Sequence, residues 1–133
     1  MIIGIGTDLV DIRRIERTLK RFGDRFVARI FNQTERTRAE RSPNPAAIYA
    51  QRFSAKEACA KALGTGFRRG VFWADIGVDN LPSGKPFLTL SGGAQRRLEE
   101  LTPPGTTAQI DISLTDESFF AQAMVLILAV PNS

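Results

Sequence analysis

Apolar and polar residues follow two different periods along this chain, and the change of period predicts where strands and helices lie. Residues 2–10 are almost all apolar and include two glycines, which predicts a strand buried on both faces. Asp8 lies near the end of that strand, where an unpaired charge is unexpected. Asp11 is a suitable N-cap for an amphipathic helix with Ile15 and Leu19 on one side and five basic residues on the other.

The clearest helix start lies near the middle of the chain. Asn44 is a good N-cap, Pro45 suits the first helical position, and Gly64 is a natural stop, so a long helix is predicted between them. A stripe of small residues predicts that this helix packs closely against a sheet: Ala55, Ala58, Cys59 and Ala62. Before it, residues 24–31 predict a short helix and residues 32–41 a helix or an ordered loop.

The second half of the chain has the period of strands. The predicted elements are strands at 75–79 and 87–90 joined by the turn Pro82–Pro86, a helix at 94–101, a half-buried strand at 108–115 and a last strand at 119–130. The last strand is continuously apolar, which predicts burial on both faces. We therefore expect one α+β domain over residues 1–133, with a mostly antiparallel sheet and one long central helix.

A chain of this size has few helices with which to cover an apolar last strand on both faces. Packing of sheets in a homo-oligomer would cover it, whereas a central strand in a monomer has the same pattern. Gly4 and Gly6 suggest a dinucleotide motif, but the third glycine position is Leu9 and the glycines lie within the strand. Their simpler role is to let the backbone approach a neighbour closely.

The composition of the chain excludes several kinds of catalytic and metal site. The chain contains no histidine and one cysteine, Cys59, which excludes His-dependent triads, His-ligated metals and internal disulfides. No basic segment precedes the first apolar strand, and the longest apolar run is too short to span a bilayer. We therefore expect a cytoplasmic protein without a membrane partner. Catalysis is left to carboxylates, lysine, arginine, hydroxyls or a hard metal ion.

Asp8 and Glu57 are the candidate metal ligands. On spacing alone, the favoured interpretation of Glu57 is a surface ion pair with Lys61 one helical turn later. If the long helix crosses the first strand, however, Asp8 and Glu57 meet and bind one hard cation, as two carboxylates and substrate phosphates bind Mg²⁺. Lys61 would then reach the phosphates as a point charge.

The charge is unevenly distributed between the two halves of the chain. Residues 1–69 carry 15 Lys and Arg against 7 Asp and Glu, whereas residues 70–133 carry 3 against 7. Such a basic half suits an acidic partner, although exposed charged faces are commonly only solvated. The few aromatic residues among these arginines argue against single-stranded nucleic acid. A basic module that binds nucleic acid or a membrane surface without catalysis explains the charge, but it leaves Asp8, Glu57 and Lys61 without a role.

Four segments, taken in order, closely resemble the holo-acyl-carrier-protein synthase family: GIGTDLVDI at 4–12, RFSAKEACAKALGTG at 52–66, WADIGV with GKP at 73–86, and ISLTDESFFAQA at 112–123. The resemblance implies a small α+β enzyme that transfers 4′-phosphopantetheine from coenzyme A to a serine of apo-acyl carrier protein in fatty acid biosynthesis and releases adenosine 3′,5′-bisphosphate. It also implies a Mg²⁺-dependent, cytoplasmic homotrimer with active sites between subunits.

The resemblance assigns roles to individual positions. Asp8 and Glu57 match metal-binding carboxylates, Lys61 matches a lysine near the transferred phosphate, and Arg52 matches a residue that lines the coenzyme A site. Three further residues fall in segments expected near the nucleotide: Gly64, Lys85 and Pro86. Three arginines match the docking surface for the acidic carrier protein, namely Arg14, Arg21 and Arg25.

Asp111 marks a departure from the family. Many members have a histidine at this position near the start of the penultimate strand, and the departure leaves two routes for the proton of the carrier serine. Asp111 itself accepts it, or a metal-bound water held by Asp8 or Glu57 relays it. The water route is favoured because it does not require the absent histidine.

Overall fold

The computed structural model describes all 133 residues. The strands are β1 (Ile2–Asp11), β2 (Ile76–Asn80), β3 (Pro86–Leu90), β4 (Thr106–Glu117) and β5 (Phe120–Pro131). The helices are α1 (Ile12–Phe22), α2 (Asp24–Ile30), α3 (Gln33–Glu40), α4 (Pro45–Ala62) and α5 (Gly92–Leu101), with a short 3₁₀ turn at Trp73–Asp75. The α+β prediction is confirmed, because both sheets are antiparallel and α4 is the central helix.

The helix starts follow the capping signals in the sequence. Asp11 accepts a hydrogen bond from the backbone N–H of Arg13, and Asn44 accepts one from Ala47 at the start of α4. The helix α4 ends at Ala62, and Gly64 follows with a φ of +79°, a conformation that suits glycine after a helix. The predicted start and end of the long helix are therefore confirmed.

The larger sheet has the strand order β1-β5-β4, and α4 lies across one of its faces. The stripe of small residues on α4 is completely or almost completely buried there, as predicted. Glycine is required at Gly6, where a Cβ would lie 2.0 Å from the backbone oxygen of Ala58 in α4. The absence of that side chain lets β1 lie directly against α4, which brings Asp8 close to the helix.

The prediction that β1 and β5 are buried on both faces is wrong for the single chain. Every second residue of β5 from Ala121 to Ala129 is buried against α4, whereas the alternate residues face outward. On this outer face Leu9 is 62% exposed and Met124 is 47% exposed, and Ile5 and Phe120 are also exposed. One layer of helices covers one face of a sheet, so the chain leaves an apolar face uncovered.

The smaller sheet, β2 with β3, is joined to α4 through a buried ion pair. Lys56 Nζ lies 3.0 Å from Glu35 Oε1, and it donates to the backbone oxygen of Ile76 in β2. Glu35 also accepts hydrogen bonds from the backbone N–H groups of Asn32 and Val78. Because both charges are paired and hydrogen-bonded, this pair fixes α3, α4 and β2 to one another.

None of the helices combines the length and the apolar character that crossing a membrane requires.

Candidate active site

The contact between β1 and α4 brings three of the predicted residues together. Lys61 Nζ donates to Asp8 Oδ1 at 3.1 Å and to the backbone oxygen of Thr7 at 3.0 Å. Glu57 lies one turn before Lys61 on α4, so both side chains project from the same side of the helix. The side chain of Asp8 is 15% exposed and that of Lys61 is 50% exposed, so the lysine is open to a ligand.

The surroundings of the Glu57 carboxyl disfavour its negative charge. Its pKa is raised because it is partly buried and because the Asp8 carboxylate lies nearby; Lys61 and Arg14 offset part of that rise. Two neighbouring carboxylates with insufficient compensating charge attract a cation. A surface ion pair between Glu57 and Lys61 does not describe this site, because Lys61 bonds to Asp8 instead.

The donor atoms at this position fit a hard divalent cation. Both available side-chain ligands are carboxylates, and no third acidic, histidine or cysteine side chain joins them to form a larger cluster. Mg²⁺ is usually held by one or two carboxylates together with water and substrate phosphates rather than by a complete protein cage. The residues therefore fit Mg²⁺ bound together with a phosphate-containing substrate.

Arg52 lies beneath the turn that connects β2 and β3. Its side chain is 2% exposed, one guanidinium nitrogen donates to Asn80 Oδ1, and its Nε has no hydrogen-bond partner. Burial is the main cause that lowers its pKa, followed by the nearby Arg38. Arg52 precedes Glu57 by five residues and Lys61 by nine, so along the helix axis it lies roughly 8 Å from the first and roughly 14 Å from the second.

The three residues expected near the nucleotide occupy two loops. Lys85 is exposed in the turn between β2 and β3, and Pro86 begins β3. Gly64 is exposed just beyond α4, where Arg97 Nε donates to the neighbouring backbone oxygen of Leu63 at 2.9 Å. The loop that contains Gly64 directly follows α4, the helix that bears Arg52, Glu57 and Lys61.

Asp111 is not brought to the Asp8–Glu57 pair within one chain. In the register of the larger sheet, Asp8 faces the α4 side together with Ala123, whereas Asp111 pairs with Leu126 on the outer face. There it accepts a hydrogen bond from Gln109 at 3.1 Å. The strand β5 also separates the strands that bear the two aspartates. A direct role for Asp111 in the chemistry therefore requires a second copy of the chain.

The predicted docking arginines are exposed on α1 and α2. Arg14 and Arg21 lie on α1, and Arg25 lies on α2. Arg25 also lines a groove of about 340 Å³ together with Phe22 and Phe26. This surface combines positive charge with exposed apolar area, as suits an acidic protein partner that also presents apolar side chains.

Three polar residues that support the site were not among those predicted from the sequence: Glu35, Lys56 and Asn80. Two of them had local signals. The spacing of Asn32 and Glu35 is that of a capping box, and the structure forms both of its hydrogen bonds. Lys56 follows Arg52 by four residues, which places both on one side of α4. Nothing local indicates the bond between Arg52 and Asn80, which joins residues 28 positions apart.

Comparison with known proteins identifies the family of this chain. A sequence model described as the 4′-phosphopantetheinyl transferase superfamily matches residues 4–113, and the chain belongs to that superfamily. A relative from Phenylobacterium zucineum named holo-[acyl-carrier-protein] synthase is 65% identical, with 98% of this chain and 95% of the relative covered. A relative of the same name from Caulobacter vibrioides is 60% identical, with 99% of each covered. Within the superfamily, the chain is a member of the holo-[acyl-carrier-protein] synthases, which are enzymes.

Solved structures agree with the fold. The holo-[acyl-carrier-protein] synthase of Neisseria meningitidis is 38% identical with a TM-score of 0.84, and the match covers 96% of this chain and 99% of that one. The Helicobacter pylori synthase, solved in complex with coenzyme A, is 29% identical with a TM-score of 0.79 over 93% and 99% of the two chains. The resemblance and the enzyme class predicted from the sequence are confirmed.

Proposed function

We propose that this enzyme transfers 4′-phosphopantetheine from coenzyme A to a serine of apo-acyl carrier protein in fatty acid biosynthesis, releasing adenosine 3′,5′-bisphosphate. The observation that carries the proposal is the convergence of Asp8, Glu57 and Lys61 where β1 crosses α4. The coenzyme A complex of the Helicobacter pylori relative supports coenzyme A as the donor.

Asp8 and Glu57 would hold Mg²⁺. When bound, the ion would supply positive charge to the diphosphate of coenzyme A and lower the barrier to attack on phosphorus. The raised pKa of Glu57 supports this assignment, because a cation relieves the repulsion between the two carboxylates.

Lys61 would bind the oxygens of the transferred phosphate. Its side chain is half exposed, and its ammonium group donates to Asp8 and to the backbone oxygen of Thr7. A fixed positive charge at this point stabilises the negative charge that develops during transfer. The nucleophile is the serine of the partner, so the chain contributes orientation and charge and needs no nucleophile of its own.

Arg52, Gly64, Lys85 and Pro86 would contribute to the coenzyme A site. Lys85 and Gly64 are exposed in loops and available to a nucleotide. Arg52 is buried in α4 and would contribute through its hydrogen bond to Asn80, next to the turn between β2 and β3. The partner surface would comprise Arg14, Arg21 and Arg25, because their positive charges attract an acidic carrier protein and speed its association.

The exposed apolar outer face supports a homo-oligomer, which we propose is a cytoplasmic homotrimer. Packing of the outer faces of several copies would cover Leu9, Met124 and their neighbours. Asp111 lies on that same face, so a role as the base for the carrier serine depends on the assembly. If Asp111→Ala lowers turnover by several orders of magnitude while coenzyme A and carrier still bind, Asp111 is the base.

The mass of an apo-acyl carrier protein tests the function directly. We expect incubation with the enzyme, coenzyme A and Mg²⁺ to add one phosphopantetheinyl unit. The gain should disappear with a chelator and with Glu57→Ala, whereas Glu99→Ala, an exposed change on α5, should leave the transfer intact. Carrier binding without transfer would indicate an inactive enzyme, and absence of both would contradict the proposal.

A further inference from the structure

The turn between β2 and β3 is tied to the rest of the protein by one side chain. Asn80, the last residue of β2, donates from Nδ2 to the backbone oxygen of Gly84 at 2.8 Å. Its Oδ1 accepts a hydrogen bond from the Arg52 guanidinium. The amide of Asn80 therefore uses both ends, one toward the turn and the other toward α4.

The position of Asn80 explains why the turn needs this support. Asn80 lies opposite Pro86 in the strand register, and proline has no backbone N–H to donate to the ladder. The turn beyond this pair is exposed, and its own backbone bonds join Leu81 to Lys85 and to Gly84. These internal bonds shape the turn but do not fix its orientation relative to the helix.

Arg52 gives the connection a rigid base. The arginine is buried on α4, the helix that also bears Glu57 and Lys61. The strand that leads into the turn is fixed to the same helix by Lys56, which donates to the backbone oxygen of Ile76. The helix α4 therefore bears Lys61 directly and is linked to the turn that bears Lys85 through Arg52 and Asn80.

We propose that Asn80 is a positioning residue that orients the turn bearing Lys85 for the nucleotide portion of coenzyme A. This inference rests on the proposed function, since it assumes that coenzyme A binds along α4 and the turn. Asn80 acts through the backbone at Gly84, and Lys85 makes the contact. Loss of Asn80 leaves the carboxylates and Lys61 in place and loosens only the nucleotide end of the site.

Calorimetric titration with coenzyme A tests the proposal in a double-mutant cycle. We expect Asn80→Ala to weaken coenzyme A binding about tenfold, with kcat at saturating coenzyme A within about threefold of the unmodified enzyme. In a Lys85→Ala background the same change should have little further effect, because the side chain that Asn80 positions is already absent. Thr89→Ala, an exposed change on β3 of the same hairpin, should leave binding unchanged.

A second variant keeps the test valid if Asn80→Ala fails to fold. Asn80→Asp retains an oxygen for Arg52 but cannot donate to Gly84, so it should fold and still weaken binding through Lys85. The positioning role would be overturned if the Asn80 substitution weakened coenzyme A binding equally in the unmodified and the Lys85→Ala backgrounds. It would also be overturned if neither Asn80→Ala nor Asn80→Asp changed coenzyme A binding. Failure of the unmodified enzyme to bind coenzyme A at all would instead contradict the proposed function, so the two failures are distinguishable.

Discussion

The close crossing of β1 and α4 predicts that Gly6→Ala is damaging out of proportion to its size. The added Cβ would lie 2.0 Å from the backbone oxygen of Ala58 and 2.8 Å from the backbone nitrogen of Ala62. Both atoms belong to the helix backbone and cannot rotate away. An ordinary contact begins near 3.4 Å, so the strand and the helix must separate by about 1.4 Å at this point.

That separation has a cost in stability and a cost in activity. Overpacking against a backbone of this kind costs about 3 kcal/mol, which lowers the melting temperature of a chain of this length by roughly 10 °C. Asp8 follows Gly6 by two residues on the same face of β1, so its 3.1 Å contact with Lys61 is lost as well. A displacement of about 1 Å in a phosphoryl-transfer site lowers the rate on the order of a hundredfold.

Scanning calorimetry and the carrier mass assay measure the two effects on the same preparations. Gly77→Ala is the matched control, because its Cβ would meet only the end of the Asn32 side chain at 3.3 Å and, more distantly, the backbone oxygen of Thr89 at 3.7 Å. We expect that control to melt within about 3 °C of the unmodified protein and to retain transfer. A Gly6→Ala protein that melts and transfers like the control would refute the argument that β1 must touch α4.

Three further predictions follow from the charges and the exposed face. Glu57→Gln should abolish transfer yet raise the melting temperature of the metal-free protein near pH 7. The pKa of Glu57 is higher in the folded protein than in the unfolded chain, so its negative charge destabilises the fold at pH values above the unfolded pKa. Below about pH 4 the carboxyl is protonated in both states, and the rise in melting temperature caused by Glu57→Gln should vanish. Lys56→Met should lower the free energy of unfolding, measured in urea, by about 3–5 kcal/mol, because Glu35 loses its oppositely charged partner in the interior. Adding Glu35→Gln should restore part of that free energy, and a double variant as unstable as Lys56→Met would contradict the pairing. Leu9→Glu should convert the proposed homo-oligomer to single copies in sedimentation velocity, and an unchanged sedimentation coefficient would exclude this face from the proposed interface.

The local signals in the sequence determined most of the secondary structure. The caps Asp11 and Asn44 set helix starts at the predicted positions, because capping depends on the residue and its nearest neighbours. The small residues of α4 likewise indicated close packing, since their spacing alone puts them on one side of a helix. The pattern failed for burial of β1 and β5, because an apolar strand has the same sequence whether another copy or its own helices cover it.

For the candidate site too, some features follow from the sequence and others only from the tertiary structure. The sequence alone supplied Asp8, Glu57 and Lys61 as candidates and excluded histidine chemistry, but on spacing it favoured a surface pair between Glu57 and Lys61. Only the tertiary structure decided that Lys61 bonds to Asp8, since that contact joins residues 53 positions apart. It also decided that the buried Arg52 donates a hydrogen bond to Asn80, and that Asp111 lies on the face of the sheet opposite to Asp8. Contacts between distant segments depend on how strands pair and helices cross, and no local pattern of residues encodes them.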